Sequence, residues 1–318
     1  MWALLSECKG AGPLSGSDNG ETRDAHLGSK VGAAERTMDP MSSRAGQEDP
    51  PVRLAGEPRL DGRVALVTGA SGTIGGAIAE ELGRSGASLA LNGRSAEALG
   101  TIEARLLSRK VIAVSLPADL TNRRDLELLV PQVVAEFGRL DILINCAGRN
   151  RRTATLDVQI DDYEAILDLN LRAPLVLSQL AAKEMLKVGA GRIINIGSLT
   201  TVTALSGITV YALSKAAIGQ LTRQLAVEWA RYNILVNCVI PGFLRTKQTE
   251  EVWANADTRR WMERQIPLGR GGTGADVARA VGFLASPAAE YITGVCLPVD
   301  GGILAGMAGF DVGDRSDG

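Results

Sequence analysis

Tyr211 and Lys215 stand four residues apart in "VYALSKAA" (210–217), and Ser198 precedes Tyr211 by 13 positions at the end of "INIGS". Four-residue spacing places two side chains on one face of a helix. Such a pair is elsewhere an ordinary surface contact, so its surroundings decide. Free tyrosine and lysine both titrate near pH 10. The sequence has one histidine, His26, far from any segment with a folded pattern. A lysine charge held beside a tyrosine favours the tyrosinate. A tyrosine so placed can serve as general acid or general base closer to neutral pH. A hydroxyl such as that of Ser198, if brought near, can stabilise charge developing on an oxygen. No metal is expected. The four cysteines, Cys8, Cys146, Cys238 and Cys296, form no CxxC pair, which argues against a metal cluster. They read as small apolar residues in a reducing compartment, the cytoplasm.

The elements that must position these residues follow from hydrophobic patterning. From "RLDGRVALVTGA" onward, short aliphatic runs alternate with longer amphipathic stretches. Strands are predicted over 64–68, 88–92, 111–116, 141–146, 191–197, 234–240 and 295–300. Helices are predicted over 73–86, 95–108, 122–137, 161–187, 209–231 and 274–285. Seven strands alternating with helices imply an α/β fold: a Rossmann-type, doubly wound, parallel seven-stranded sheet with right-handed crossovers. No linker interrupts it, so one domain over about 58–310 is expected, with 311–318 as a C-terminal tail. Parallel sheets present their sites at strand C-termini, and Ser198 closes one such strand. Residues 1–57 are rich in Gly, Ser, Pro and Asp without an apolar period. They read as a disordered tail that cannot bury enough surface to offset its ordering entropy. Met38 and Met41 lie inside it, and a downstream start is an open alternative. Intact residues 1–37 in mass spectra of the native protein would remove that alternative.

The turn "VALVTGASGTIGGA" joins the first strand to the first helix through Gly69, Gly72, Gly75 and Gly76. Glycines let backbone approach a pyrophosphate, and the following helix N-terminus offers free N–H groups and a positive dipole end. Alone, a glycine-rich turn also serves packing only, and the spacing here is not GxGxxG. It does resemble the TGxxxGxG turn of the short-chain dehydrogenase/reductase family, with Thr68, Gly69 and Gly75 matching and Thr73 in place of the middle glycine. Further resemblances follow in order over about residues 60–302. "ADL" carries Asp119 where the family has an adenine contact. "NCAG" (145–148) resembles NNAG, with Cys146 replacing the second Asn. Asn170 matches a helix-interrupting Asn, and Tyr211 and Lys215 match YxxxK. "IPGF" with Thr246 resembles the segment beside the nicotinamide.

The resemblance implies a nicotinamide dinucleotide cofactor and hydride transfer between it and a substrate carbon. Its implied cofactor-binding residues are Gly69, Ser71, Thr73, Ile74, Gly75, Arg94, Asp119, Leu120, Asn145, Ala147, Gly148, Tyr211, Lys215, Pro241, Gly242 and Thr246. The implied catalytic residues are Tyr211, Lys215, Ser198 and Asn170. Lys215 would hold the nicotinamide ribose, and Asn170 would position a water that relays protons from Lys215. A carboxylate ending the second strand would favour a free ribose 2′-hydroxyl, whereas an arginine attracts a 2′-phosphate. "LALNGRS" offers Arg94 and no acid, so NADP(H) is favoured, with NAD(H) as the alternative.

Substrate and partners are less constrained. Net charge is −2, with 34 basic and 36 acidic residues, which argues against a general nucleic-acid surface or an anionic membrane patch. No apolar run approaches the roughly 20 residues needed to span a membrane, and the N-terminus does not resemble a secretory signal. Residues 244–272 fall where the family places a short substrate lid. They hold Trp253, Trp261 and Met262, which either cover a substrate or pack the lid down. "RNRRT" (149–153) puts three arginines beside the site. They either meet an acidic carrier or anionic substrate, or form a solvated loop. The stretch from "IPLGR" to "PVDGG" (266–302) resembles 3-oxoacyl-carrier-protein reductases and gluconate 5-dehydrogenases. Three readings follow: an NADPH-dependent 3-oxoacyl-type carbonyl reductase, a sugar or polyol dehydrogenase, and a non-catalytic nucleotide-sensing protein on the same fold. A small-molecule ketone or alcohol is the expected substrate. The resemblance also implies a homotetramer or homodimer through the helices at 161–187 and 209–231.

Overall fold

A computed structural model describes residues 59–306. The expected tails, the alternative starts, Cys8 and His26 lie outside the described residues. Seven strands, β1 (Val64–Val67), β2 (Ser88–Gly93), β3 (Ala113–Pro117), β4 (Ile142–Asn145), β5 (Gly191–Ile196), β6 (Ile234–Pro241) and β7 (Cys296–Val299), form one sheet. Their order is β3-β2-β1-β4-β5-β6-β7, with every pairing parallel. The chain runs outward from β1 to β3 and then crosses to β4 on the other side of β1. The switch point therefore falls between β1 and β4, where open parallel sheets form their ligand crevice.

The sheet is buried on both faces because alternate residues of each strand point opposite ways. Ala65 and Val67 of β1 pack with Ile142 and Ile144 of β4 against α1 (Thr73–Arg84), α2 (Ala96–Ser108) and α9 (Gly274–Ala285). Val64 and Leu66 turn to the other face with Leu143 and Ile193. There they meet α3 (Arg123–Phe137), α5 (Ala173–Val188) and α6 (Thr209–Trp229). Aliphatic side chains dominate both layers, as the low aromatic content requires.

Most helix boundaries follow local chemistry. Asn122 caps α3 through the N–H groups of Arg124 and Asp125, and Gly138 closes it at φ +74°. Three departures from the predicted boundaries have physical causes. First, β3 begins two residues later than predicted, because Lys110 turns the chain out of α2 at φ +63°. No glycine marks that position. Second, the predicted helix over 161–187 is two helices, α4 (Ile160–Leu167) and α5, joined by a π-helical segment at Asp168–Arg172. Asn170 sits within that segment, buried. Third, the helix predicted to 231 ends at Trp229, followed by a 3₁₀ turn and by Asn233 at φ +59°.

Between β6 and α9 lie two short helices, α7 (Glu250–Ala254) and α8 (Ala256–Gln265). Trp253, Met262 and Ile266 form a small cluster there with Phe243 and Ile303. Trp253 is buried and its indole N–H donates to the Leu244 carbonyl at 2.8 Å. Trp261 stays about half exposed. One tryptophan thus packs the segment down, and the other faces outward. No helix among the described residues is long and apolar enough to cross a membrane.

Candidate active site and dinucleotide cleft

The turn after β1 is built around two glycines that no other residue can replace cheaply. Gly69 has φ +66°, and a Cβ there would meet Ala147 Cα at 2.9 Å. A Cβ on Gly75 would meet the Gly69 carbonyl oxygen at 2.2 Å. The β1 turn and the turn after β4 are therefore pressed together. Thr68 joins them: its hydroxyl donates to Ile144 O at 3.1 Å and accepts from the N–H groups of Cys146 and Ala147 at 2.9 and 3.1 Å. Thr73, the departure from the family turn, is exposed in the first turn of α1 and lies outside the left-handed region. The turn accommodates its side chain without strain, and its hydroxyl accepts from the Lys247 N–H at 3.4 Å.

α1 has no side-chain cap, whereas α2, α3, α8 and α9 are capped by Ser95, Asn122, Asn255 and Thr273. An uncapped N-terminus on a glycine turn is a ready anion site. It opens into a cleft of about 730 Å³. The cleft is lined by Gly69, Ser71, Thr73, Ile74, Gly75, Arg94, Asp119, Leu120, Ala147, Gly148 and Thr246 among the expected residues. Asn145, Pro241 and Gly242 do not line it. Asn145 is buried and donates to Ser178 Oγ at 3.2 Å and Asn195 Oδ1 at 2.8 Å. Pro241 lies in β6 opposite Val299, and Gly242 packs against Asp300.

At the adenosine end, Asn92 occupies the end of β2 where an acid would stand. It is buried and turned inward, its amide donating to Leu116 O and Ala118 O. Arg94 is exposed with no ion pair, and Ser71 lies against Gly93. The Thr121 N–H and hydroxyl bind Asp119 Oδ1 at 2.9 and 2.8 Å and hold that carboxyl below its usual range. The free N-terminus, the close-approach turn and the exposed cation fit a phosphorylated dinucleotide.

The catalytic candidates converge past the C-terminal end of β5. Tyr211 and Lys215 share a face of α6, with Lys215 Nζ 5.6 Å from the Tyr211 ring centre. Lys215 is only 6% exposed. Its ammonium donates to Ile196 O at 2.7 Å, which ties it to the last residue of β5. Ser198 follows two residues later, and its hydroxyl accepts from Thr200 N and Oγ1 at 3.3 and 3.2 Å. Asn170 clamps the peptide of Arg149, accepting from its N–H and donating to its carbonyl, both at 2.9 Å. It also donates to Ser214 Oγ at 3.0 Å, and Ser214 donates to Tyr211 O at 2.7 Å. The π-helical bulge thus places Asn170 between the β4 turn and α6. A Cβ on Gly148 would meet Asn170 Oδ1 at 3.3 Å and Lys215 Nζ at 3.7 Å, so glycine keeps the space between those groups open. Cys146 stays a thiol: burial pushes it up to about 12, with the Lys215 charge opposing.

Sequence reasoning missed Ser214 and Thr201. Ser214 lies inside the "YALSK" motif, yet an interior helical serine carries no spacing signal. Thr201 receives the Ser198 N–H at 3.0 Å and fixes the backbone there.

Comparison with known proteins bears on the family and the fold. The sequence profile of the family described as enoyl-(acyl carrier protein) reductase matches residues 69–304. A 3-oxoacyl-[acyl-carrier-protein] reductase of Rickettsia bellii is 38% identical over 77% of this chain and 98% of its own length. Gluconate 5-dehydrogenase of Gluconobacter oxydans is 34% identical, over 78% of this chain and 97% of its own. Among solved structures, a gluconate 5-dehydrogenase from Burkholderia cenocepacia in complex with NADP and tartrate superposes with a TM-score of 0.75. Its identity is 33%, over 78% of this chain and 98% of that one.

Proposed function

Because the chain belongs to the short-chain dehydrogenase/reductase family, oxidoreductases acting on CH–OH groups, we propose that it is an NADP(H)-dependent enzyme interconverting a ketone and a secondary alcohol. The observation that carries the reading is the anchoring of Lys215 at the end of β5, which Ser198 follows, and of Asn170 beside Tyr211. Lys215 is pinned to the end of β5, and Asn170 is tied to α6 through Ser214 beside Tyr211. The nicotinamide, when bound, supplies the hydride acceptor or donor. Tyr211 Oη gives a proton to the ketone oxygen in one direction and takes it from the alcohol in the other. Ser198 Oγ donates a second hydrogen bond to that oxygen. Lys215 would hold the ribose hydroxyls of the bound nicotinamide nucleotide, its ammonium anchored on Ile196 O. Asn170, fixed by Arg149 and Ser214, orders the route by which Lys215 exchanges protons with solvent.

The exposed Arg94 and the lack of an acid at the end of β2 support NADP(H) over NAD(H). For the substrate, a 3-oxoacyl thioester is the first reading, supported by the Rickettsia reductase. A keto sugar acid is the second, supported by the gluconate 5-dehydrogenase structure with NADP and tartrate. A panel of 3-oxoacyl thioesters and keto sugar acids, followed by NADPH oxidation, tests both. NADPH-dependent turnover of one class is expected. Cofactor binding with no turnover across the panel would support a nucleotide sensor instead.

A further inference from the structure

Three cations line the dinucleotide cleft, Arg94, Arg149 and Lys247, against one carboxylate, Asp119. None of the three cationic side chains makes a hydrogen bond or ion pair within the described structure, and each is exposed. Asp119 lies within electrostatic reach of Arg94; its Oδ1 is bonded to Thr121 twice, and it bonds neither Arg149 nor Lys247. Lack of a partner is not by itself distinctive: Arg152 is also exposed without a hydrogen bond or ion pair, but it does not line the cleft. Arg151, two residues beyond Arg149, pairs with Asp162 at 2.6 Å and does not line this cleft.

From this arrangement we infer that Arg149 is a further phosphate ligand, gripping the dinucleotide's pyrophosphate from the β4 side, opposite the N-terminus of α1. The inference rests on the dinucleotide-binding reading above. The seam between the β1 and β4 turns, where a Cβ on Gly69 would meet Ala147 Cα at 2.9 Å, lies between these two positive ends. Asn170 fixes the Arg149 peptide at both its N–H and its carbonyl. The backbone is thus anchored while the guanidinium stays unpaired, so little backbone order remains to be lost when it meets a ligand. A guanidinium suits two phosphate oxygens at once. A substrate carboxylate is the rival ligand. The cleft favours the cofactor, because Arg149 shares it with the glycine turn, whereas Ser198 and Tyr211 do not line it.

Arg149→Leu and Arg149→Lys, titrated with NADPH and NADH by tryptophan fluorescence and assayed for kcat and KM, test the assignment. Arg149→Leu should raise the Kd of both dinucleotides by a similar factor of about ten, the size of one lost charge-assisted contact. Arg149→Lys should recover part of that loss. Unchanged Kd values in an Arg149→Leu protein that melts like the wild type would overturn the inference. So would a rise confined to NADPH, which would move Arg149 to the 2′-phosphate, or a rise confined to the KM of the carbonyl substrate. Wild-type protein that binds neither dinucleotide would sink the proposed function itself, and this inference with it.

Discussion

The two ends of the sheet handle charge in opposite ways. Where the strands begin, Asp141 is buried and fully engaged. It accepts from Arg63 at 2.9 Å, from Arg139 at 2.6 and 2.8 Å, and from the Val64 N–H at 2.9 Å. Where the strands end, Arg94, Arg149 and Lys247 face a cleft and make no hydrogen bond or ion pair among the described residues, with Asp119 the one carboxylate beside them. Burial pushes the Asp141 carboxyl up, but the Arg139 bond, the Val64 N–H and Arg63 outweigh it and leave it below the ordinary carboxylate range. A charge satisfied within the fold serves stability. A charge left waiting at strand C-termini marks where a ligand's charge belongs.

Three substitutions would break or sharpen this contrast. Tyr211→Phe, at the ligand end, should lower kcat by about 10²–10⁴ while leaving the melting temperature and NADPH titration nearly unchanged. Turnover retained above a few per cent would remove Tyr211 from the chemistry. Asp141→Asn, at the opposite end, should do the reverse. It weakens charge-assisted bonds worth about 1.5–3 kcal/mol, toward the lower figure because Arg63 and Arg139 are partly open to solvent. For a domain this size that lowers Tm by about 2–4 °C per kcal/mol, and kcat/KM should not move. Because the folded pKa is depressed, this stability is present above the unfolded carboxylate value of about 3.9 and is lost as pH falls through the folded value. Acid denaturation of the wild type and the variant should therefore converge at low pH. Arg94→Ala should have the smallest effect. It should lower the NADPH-over-NADH ratio of kcat/KM by about tenfold, equivalent to about 1.4 kcal/mol. An unchanged ratio would place 2′-phosphate recognition elsewhere.

Much of this architecture was readable from residue patterns. Seven aliphatic runs became seven strands, the five inner ones buried on both faces and the edge strands β3 and β7 only partly so. Tyr211, Lys215 and Ser198 were legible as candidates from their match to the family motif, with Ser198 just past β5 and the pair on one face of α6. Other features depend on contacts between residues far apart in sequence. Arg149, Arg151 and Arg152 look equivalent in "RNRRT"; the approach of Asp162 pairs Arg151, and of the other two only Arg149 lines the cleft. Trp253 and Trp261 carried equal weight until Trp253 bonded the Leu244 carbonyl. Lys110 in the left-handed region is invisible where a glycine would have been expected. The role of Ser214 emerges only when the bulge at Asn170 is folded against α6.

The joint at Thr68 also bears on the order in which this protein assembles. Its hydroxyl bonds reach residues 76, 78 and 79 positions later in the chain. Contacts of such separation form only after a long loop is closed, and they are slow to form. A nascent chain that has emerged only through β3 can pair β1 with β2, yet it lacks half of the seam on which a pyrophosphate would rest. The dinucleotide pocket is thus a late product of folding. A ligand bound there selects the completed sheet over every partial one and stabilises it by mass action. Cofactor concentration would then govern how long the finished molecule persists, as well as how fast it works.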